Sequence, residues 1–254
     1  MTLAFSLPPQ TDSPLGRLDP RWRLAGLIVL AAAVSLLQSL PAAGLAFLAA
    51  LFLAVLARLP ARWCLERLGA VALLLALFTL PLPFLIGGDG PAVDWGPFRL
   101  TWVGARAALM LAARALTVLL VMLTLLAAGP LDATLKAARS LRIPGLLVQL
   151  ALLTYRYIFV LADELARLRI ALRVRGFRNR PTRLGYRTVG NLAGVLLVRG
   201  FERAERVGHA MRCRGFDGRF HCLTDFRTRW ADVLAFLVLA AAAVGLWLLD
   251  RLWG

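Results

Sequence analysis

Residues 24–57 read LAGLIVLAAAVSLLQSLPAAGLAFLAALFLAVLA, 34 residues without a single charge. As one helix they would extend about 51 Å at ~1.5 Å per residue, too long for one crossing of a hydrocarbon core roughly 30 Å thick. The natural break is Gln38-Ser39-Leu40-Pro41, because proline lacks the N–H that a helix interior needs. The stretch therefore predicts two short membrane helices joined by a tight hairpin. Three further runs extend the pattern: residues 68–88, uncharged and punctuated by Pro81 and Pro83; residues 104–128, with Arg106 near the start and Arg114 inside; and residues 233–249. Trp247 and Trp253 suit the water–lipid boundary at the end of the last span. The expected fold is all-α, a polytopic membrane protein of about five transmembrane helices plus long amphipathic helices outside the bilayer.

Composition agrees. The chain has 254 residues, 60% hydrophobic and 17% charged, with a mean hydropathy of +0.73. Soluble domains run nearer 45–50% apolar and about 25% charged. The net charge is +16, and Lys136 is the only lysine among 30 cations. A phosphate-binding Walker loop requires Gly-Lys-Ser/Thr after a glycine-rich turn. Lys136 lies in Thr134-Leu135-Lys136-Ala137, so nucleotide binding is expected on another chain. Residues 1–10 carry no basic residue and lack a signal-peptide pattern. Cys64, Cys213 and Cys222 make no disulfide framework.

Charge distribution orients these spans. Residues 131–230 hold 20 of the cations and 7 of the 14 acids, which places them in the cytoplasm by the positive-inside rule. Arg17, Arg21 and Arg23 before the first span, and Arg58, Arg62 and Arg67 between the second and third, point the same way, whereas Asp89 and Asp94 with Arg99 mark the opposite side. The expected organisation is a cytoplasmic lead-in (1–23), a four-helix membrane region (24–128), a cytoplasmic helical region (129–230) and a last span (231–254). In the basic region Leu146, Leu150, Leu153, Tyr157, Leu161, Leu165, Leu168 and Leu172 repeat at steps of three and four, a helix stripe. Its first half, 145–162, is apolar enough to touch lipid but carries Arg156. Asp163 and Arg167 are spaced for an i,i+4 pair. A second helix over 191–214 would place Leu197, Phe201, Ala204, Gly208 and Met211 on one face, whose small members would let another helix approach closely, with Arg199, Arg203 and Arg206 on another.

Within this region a pattern is used twice. Arg173-Val174-Arg175-Gly176-Phe177 recurs 39 residues later as Arg212-Cys213-Arg214-Gly215-Phe216, with Arg167, Ala171 and Leu172 matched by Arg206, Ala210 and Met211. Taken singly, each box is an ordinary helix stop, with glycine at the left-handed C′ position and cations facing the negative helix end. Used twice, at equivalent helix ends, the boxes point further. Guanidinium forks bond carboxylates bidentately, so two arginine tips suit a partner with two equivalent acidic grooves.

The chain resembles the transmembrane (T) component of energy-coupling factor (ECF) ABC importers, most closely the cobalt-type, CbiQ-like members. The resemblance rests on Ser13-Pro14-Leu15-Gly16-Arg17-Leu18-Asp19-Pro20-Arg21-Trp22-Arg23-Leu24, on Leu153-Thr154-Tyr155-Arg156-Tyr157-Ile158-Phe159 with Asp163-Glu164, and on the two boxes. The family carries paired Ala-Arg-Gly signatures, and Val174 and Cys213 stand here in place of the alanines. The resemblance implies that Arg175, Gly176, Arg214 and Gly215, with Val174 and Cys213, contact paired ABC ATPase subunits. Arg173, Arg212, Phe177 and Phe216 would support them. It implies a separate small membrane subunit that binds the substrate, cobalt first and nickel or a vitamin next, and a non-enzymatic coupling role for this chain.

Other readings compete. Juxtamembrane arginines attract anionic lipid at about 1 kcal/mol each, and the lipid bilayer is an expected partner in any case; nucleic acid is not. A self-sufficient transporter would mark its path with more charge inside the spans than Arg114 and Arg106 supply. His209 and Cys213, followed by His221 and Cys222, are soft ligands within 14 residues, but their spacing fits no zinc pattern and Cys213 lies between arginines. No metal or other cofactor is expected. No nucleophile or metalloprotease motif suggests an enzyme.

Overall fold

The computed structural model describes residues 13–85, 92–95, 98–141, 143–178, 180–216 and 228–253. After a 3-10 turn, Pro14–Arg17, come α1 (Pro20–Leu36), α2 (Leu40–Leu56), α3 (Ala61–Thr79), the single turn α4 (Leu82–Leu85), the strands β1 (Ala92–Trp95) and β2 (Phe98–Thr101), then α5 (Trp102–Ala127), α6 (Leu131–Ser140), α7 (Gly145–Val174), α8 (Arg183–Cys213) and α9 (Trp230–Trp253). Among the described residues the regular structure is helical apart from the antiparallel β1–β2 hairpin, in which Asp94 opposes Arg99. That hairpin occupies the expected loop between the third and fourth spans. Asp89, expected on the same loop, lies outside the described residues.

Among the described residues three helices are long and apolar enough to cross a membrane by length and composition: α5, α7 and α9. The α1 and α2 helices, at 17 residues each, stand at the lower edge of the spanning range of about 17–25 residues. The predicted break holds: α1 stops at Leu36, and Pro41 sits in the first turn of α2. The third helix differs from expectation. It begins at Ala61, so Arg62 and Arg67 ride its first turns instead of a loop. There Arg62 pairs with Glu66 (3.4 Å) and Arg67 stacks on Trp63 (4.4 Å). Such local pairing lets a helix extend through charged sequence.

The chain forms two compact units, one of residues 6–141 with 225–254, the other of 142–224 with 1–5. Thus α6 folds with the helices before it. In the first unit Leu27, Leu30 and Val34 of α1 meet Ala42, Ala43, Ala46, Ala50 and Ala54 of α2 and Leu120 and Val121 of α5, all nearly fully buried. Small residues at steps of three and four let membrane helices approach closely. At Gly26 α1 approaches α9 so closely that a Cβ there would stand 2.7 Å from the Leu239 side chain.

Buried polar groups fasten both ends of this bundle. Arg23, 3% exposed, donates to the Ala128 carbonyl (2.9 Å) at the end of α5, and Asp232 accepts from the Asp19 N–H (2.8 Å). At the other end Asp250 accepts from the Gln38 N–H (2.9 Å), the Ser39 N–H (2.6 Å) and the Ser39 hydroxyl (2.7 Å). One carboxylate of α9 thereby caps the start of α2, and the intramembrane Arg114 lies near enough for its charge to act on it. Asp250→Asn replaces an acceptor-only group by one with donors facing donors. It is expected to cost about 1–3 kcal/mol, read as a lowered unfolding temperature in detergent, with both arginine boxes unaffected.

Candidate functional site: two arginine-bearing helix ends

Helices α7 and α8 make the second unit; the first runs where its leucine stripe predicts, and the second starts earlier than expected. The apolar and amphipathic halves of the first fuse into one 30-residue helix. The second begins at Arg183, eight residues before its expected start, because the Thr182 side chain caps it by accepting from the Gly185 N–H (3.1 Å).

The two boxes end these helices identically. At the first, the Gly176 N–H donates to the Arg173 carbonyl (3.1 Å) and the Phe177 N–H to the Leu172 carbonyl (3.0 Å). At the second, the Gly215 N–H donates to the Arg212 carbonyl (3.0 Å) and the Phe216 N–H to the Met211 carbonyl (3.1 Å). These are the paired bonds of a Schellman motif. Gly176 and Gly215 have φ of +78° and +76°, which L side chains avoid. A Cβ at either glycine would meet nothing within 4 Å, so backbone conformation, not crowding, demands glycine.

Exposure is repeated as well. Leu172 and Phe177 are half-buried around exposed Arg173, Val174, Arg175 and Gly176; Met211 and Phe216 flank exposed Arg212, Cys213, Arg214 and Gly215 in the same way. Val174 is 83% exposed, a costly position for an isoleucine-like side chain that has nothing to cover it. Among the described residues neither the Arg175 nor the Arg214 guanidinium has a hydrogen-bond or ion-pair partner, whereas Arg212 contacts the Gly208 carbonyl (3.4 Å) and His209 Nδ1 (3.3 Å). Arg175 and Arg214 thus each present a planar, permanently charged fork to the surroundings, and at the first tip Arg173 is exposed beside it. The candidate ligands His209 and Cys213 gather no third metal-binding side chain among the described residues; His221 and Cys222 lie outside them.

The helices cross. Gly200 of α8 sits against Leu161 of α7, and Glu164 binds Arg199, Arg203 (3.5 Å) and, on its own helix, Arg167 (3.6 Å). Arg167 was expected to pair with Asp163. Glu164 takes it instead, because its side chain, 12% exposed, points toward α8, while Asp163 is exposed. From the crossing an apolar groove of about 530 Å³ opens between Leu150, Leu153, Tyr157 and Leu161 on α7 and Ala204 and Met211 on α8. Four of the eight stripe residues of α7 line it, with the small residues Ala204 and Gly208 of α8, whereas Leu146, Leu165, Leu168 and Leu172 lie outside it. Leu197 and Phe201 do not line it either, being 74% and 68% exposed. Arg203, expected on another face, lines the groove and turns to Glu164. The Asp163-Glu164 pair stood out in the sequence, but which of the two acids meets α8 did not, and it is Glu164.

Comparison with known proteins identifies the family of the chain. The cobalt transport protein family CbiQ matches residues 11–222. The CbiQ cobalt transport protein of Rhodobacter capsulatus is 32% identical over 66% of this chain and 70% of its own. The nickel permease LarQ of Lactiplantibacillus plantarum is 28% identical over 96% of this chain and 82% of its own. The energy-coupling factor transporter transmembrane protein EcfT of Heliobacterium modesticaldum is 30% identical over 82% of this chain and 83% of its own. The chain belongs to the CbiQ cobalt transport protein family, the membrane-embedded transporter components to which the EcfT proteins are also related.

Proposed function

We propose that this chain is the coupling subunit of an ECF-type importer, joining two ABC ATPase subunits to a separate substrate-binding membrane subunit. The observation that carries the reading is the duplication of a helix end: two Schellman turns with the same bonds, each presenting an exposed arginine without an internal partner. Arg175 and Arg214 enter acidic grooves of the ATPases, Gly176 and Gly215 allow the turns, and Val174 and Cys213 pack against the groove walls. Arg173, Arg212, Phe177 and Phe216 hold the tips in shape. ATP hydrolysis belongs to the partners, and this chain converts their motion into movement of α7 and α8.

In this reading residues 129–230 and the N-terminus face the cytoplasm and the chain sits in the cell's inner (plasma) membrane, with the basic loops on the cytoplasmic side. Cobalt is the proposed substrate, supported by the family match. Nickel is the second reading, supported by a nickel permease similar over nearly the whole chain. The test is purification of the tagged chain from its own membranes in mild detergent, followed by mass spectrometry. Recovery of ABC ATPases with a small hydrophobic subunit is expected, and that subunit names the ion. Recovery of the chain with lipid alone would overturn the coupling role in favour of an anionic-lipid-binding protein or a self-sufficient transporter.

A further inference from the structure

The 39-residue repeat that relates the boxes also relates the residues at the crossing. Leu161 and Gly200, which touch, are 39 apart, and so are Glu164 and Arg203, which form an ion pair. The two helices therefore cross at equivalent positions of the repeat. Arg175 follows Glu164 by 11 residues and Arg214 follows Arg203 by 11, so each arm is about 16 Å long at ~1.5 Å per residue. The groove lining sets the first half of α7 beside the second half of α8, which puts the two tips on opposite sides of the crossing, up to about 32 Å apart by the same rise.

A crossing at equivalent positions is a pseudo-two-fold arrangement, and identical charges on its axis would repel. Here the repeat is broken at that point: one helix carries Glu164 where the other carries Arg203, and Arg199 and Arg167 complete the contact from either side. Leucine against glycine offers little shape to fix the register. A slip of α7 by one turn would move its tip by about 5.4 Å and make the arms unequal, and would carry Glu164 away from Arg203.

We propose that Glu164 is a positioning residue that locks α7 and α8 in the register giving two arginine tips of equal reach, matched to a two-fold related pair of acidic grooves. The partner half of this inference rests on the coupling role proposed above; the register half does not. Spin labels on Ala171→Cys and Ala210→Cys, both exposed and themselves repeat-equivalent, in a background lacking the three native cysteines, report the tip separation directly in the purified full chain. A single narrow distance is expected, broadened or shifted in Glu164→Gln and restored in the charge swap Glu164→Arg with Arg203→Glu, which again places opposite charges on the axis of the crossing. Transport per ATP hydrolysed should fall roughly fivefold or more in Glu164→Gln and recover in the swap, as expected for a charge-assisted contact. An unchanged narrow distance in Glu164→Gln, or failure of the swap to restore it, would overturn the register role. A restored distance in a chain that recovers no ATPase would uphold the register and reject the coupling reading instead.

Discussion

Arg175→Ala combined with Arg214→Ala is expected to leave the chain in the membrane at its normal level and to release the ATPases. Both side chains are exposed and, among the described residues, unpartnered, and surface substitutions of that kind shift stability by only about 0.5 kcal/mol. In a docked complex each would lose an arginine–carboxylate contact, and truncating one partner of a buried interfacial charge pair costs about 2–5 kcal/mol, ~30-fold or more in affinity. Each single variant should therefore weaken recovery of the ATPases and uncouple hydrolysis from uptake, while the double variant abolishes both. Arg→Lys at the same positions should fall between, because the charge remains and the planar fork does not. The decisive measurement is the ATPase-to-chain ratio in a detergent pull-down, alongside the unfolding temperature. A double variant that holds its ATPases and imports substrate at the normal rate would show that the boxes do not dock.

The membrane helices and the boxes were legible because each depends on local sequence. An uncharged run has one economical folding in lipid, and Pro41 could break it at one place only. Arg-x-Arg-Gly-Phe at the end of an amphipathic stretch dictates a left-handed glycine wherever it occurs. What could not be read depends on residues far apart in the chain. The cap that Asp250 places on Ser39 spans 211 positions, and the Glu164–Arg199 contact spans 35. Spacing within one helix suggested that Asp163 pairs with Arg167, but the choice between neighbouring acids was made by the second helix. The starts of α3 and α8 were misplaced for a related reason: charged first turns look like loops until their pairing and capping partners are known. Likewise Arg23 reads as one more positive charge beside a membrane span, whereas it is buried and fastens α1 to the end of α5.

The glycines of the boxes provide the sharpest test of what the turns are for. Helix α2 ends in the same pair of bonds, the Arg58 N–H to the Val55 carbonyl (2.9 Å) and the Leu59 N–H to the Ala54 carbonyl (3.2 Å), with Arg58 itself at a φ of +51°. A Schellman turn without glycine is therefore tolerated in this chain where the surrounding helices enforce it. Arg58→Gly should relieve left-handed strain, offset in part by a more mobile unfolded chain, and raise stability by about 1 kcal/mol or less. At Gly176 and Gly215 nothing packs within 4 Å of an added Cβ, so no neighbouring structure would hold a side chain in the left-handed region. Valine there carries about 1–2 kcal/mol of strain or more at each tip, and the last turn can escape it by unwinding, which redirects Arg175 or Arg214. The double valine variant should thus lose the ATPases almost as completely as the double arginine variant, with the membrane bundle still folded. Asparagine enters the left-handed region readily, so Gly176→Asn with Gly215→Asn should keep most of the binding. If valine and asparagine proved equivalent, the direction of the arginines would not depend on the turn, and the glycines would be ordinary helix stops.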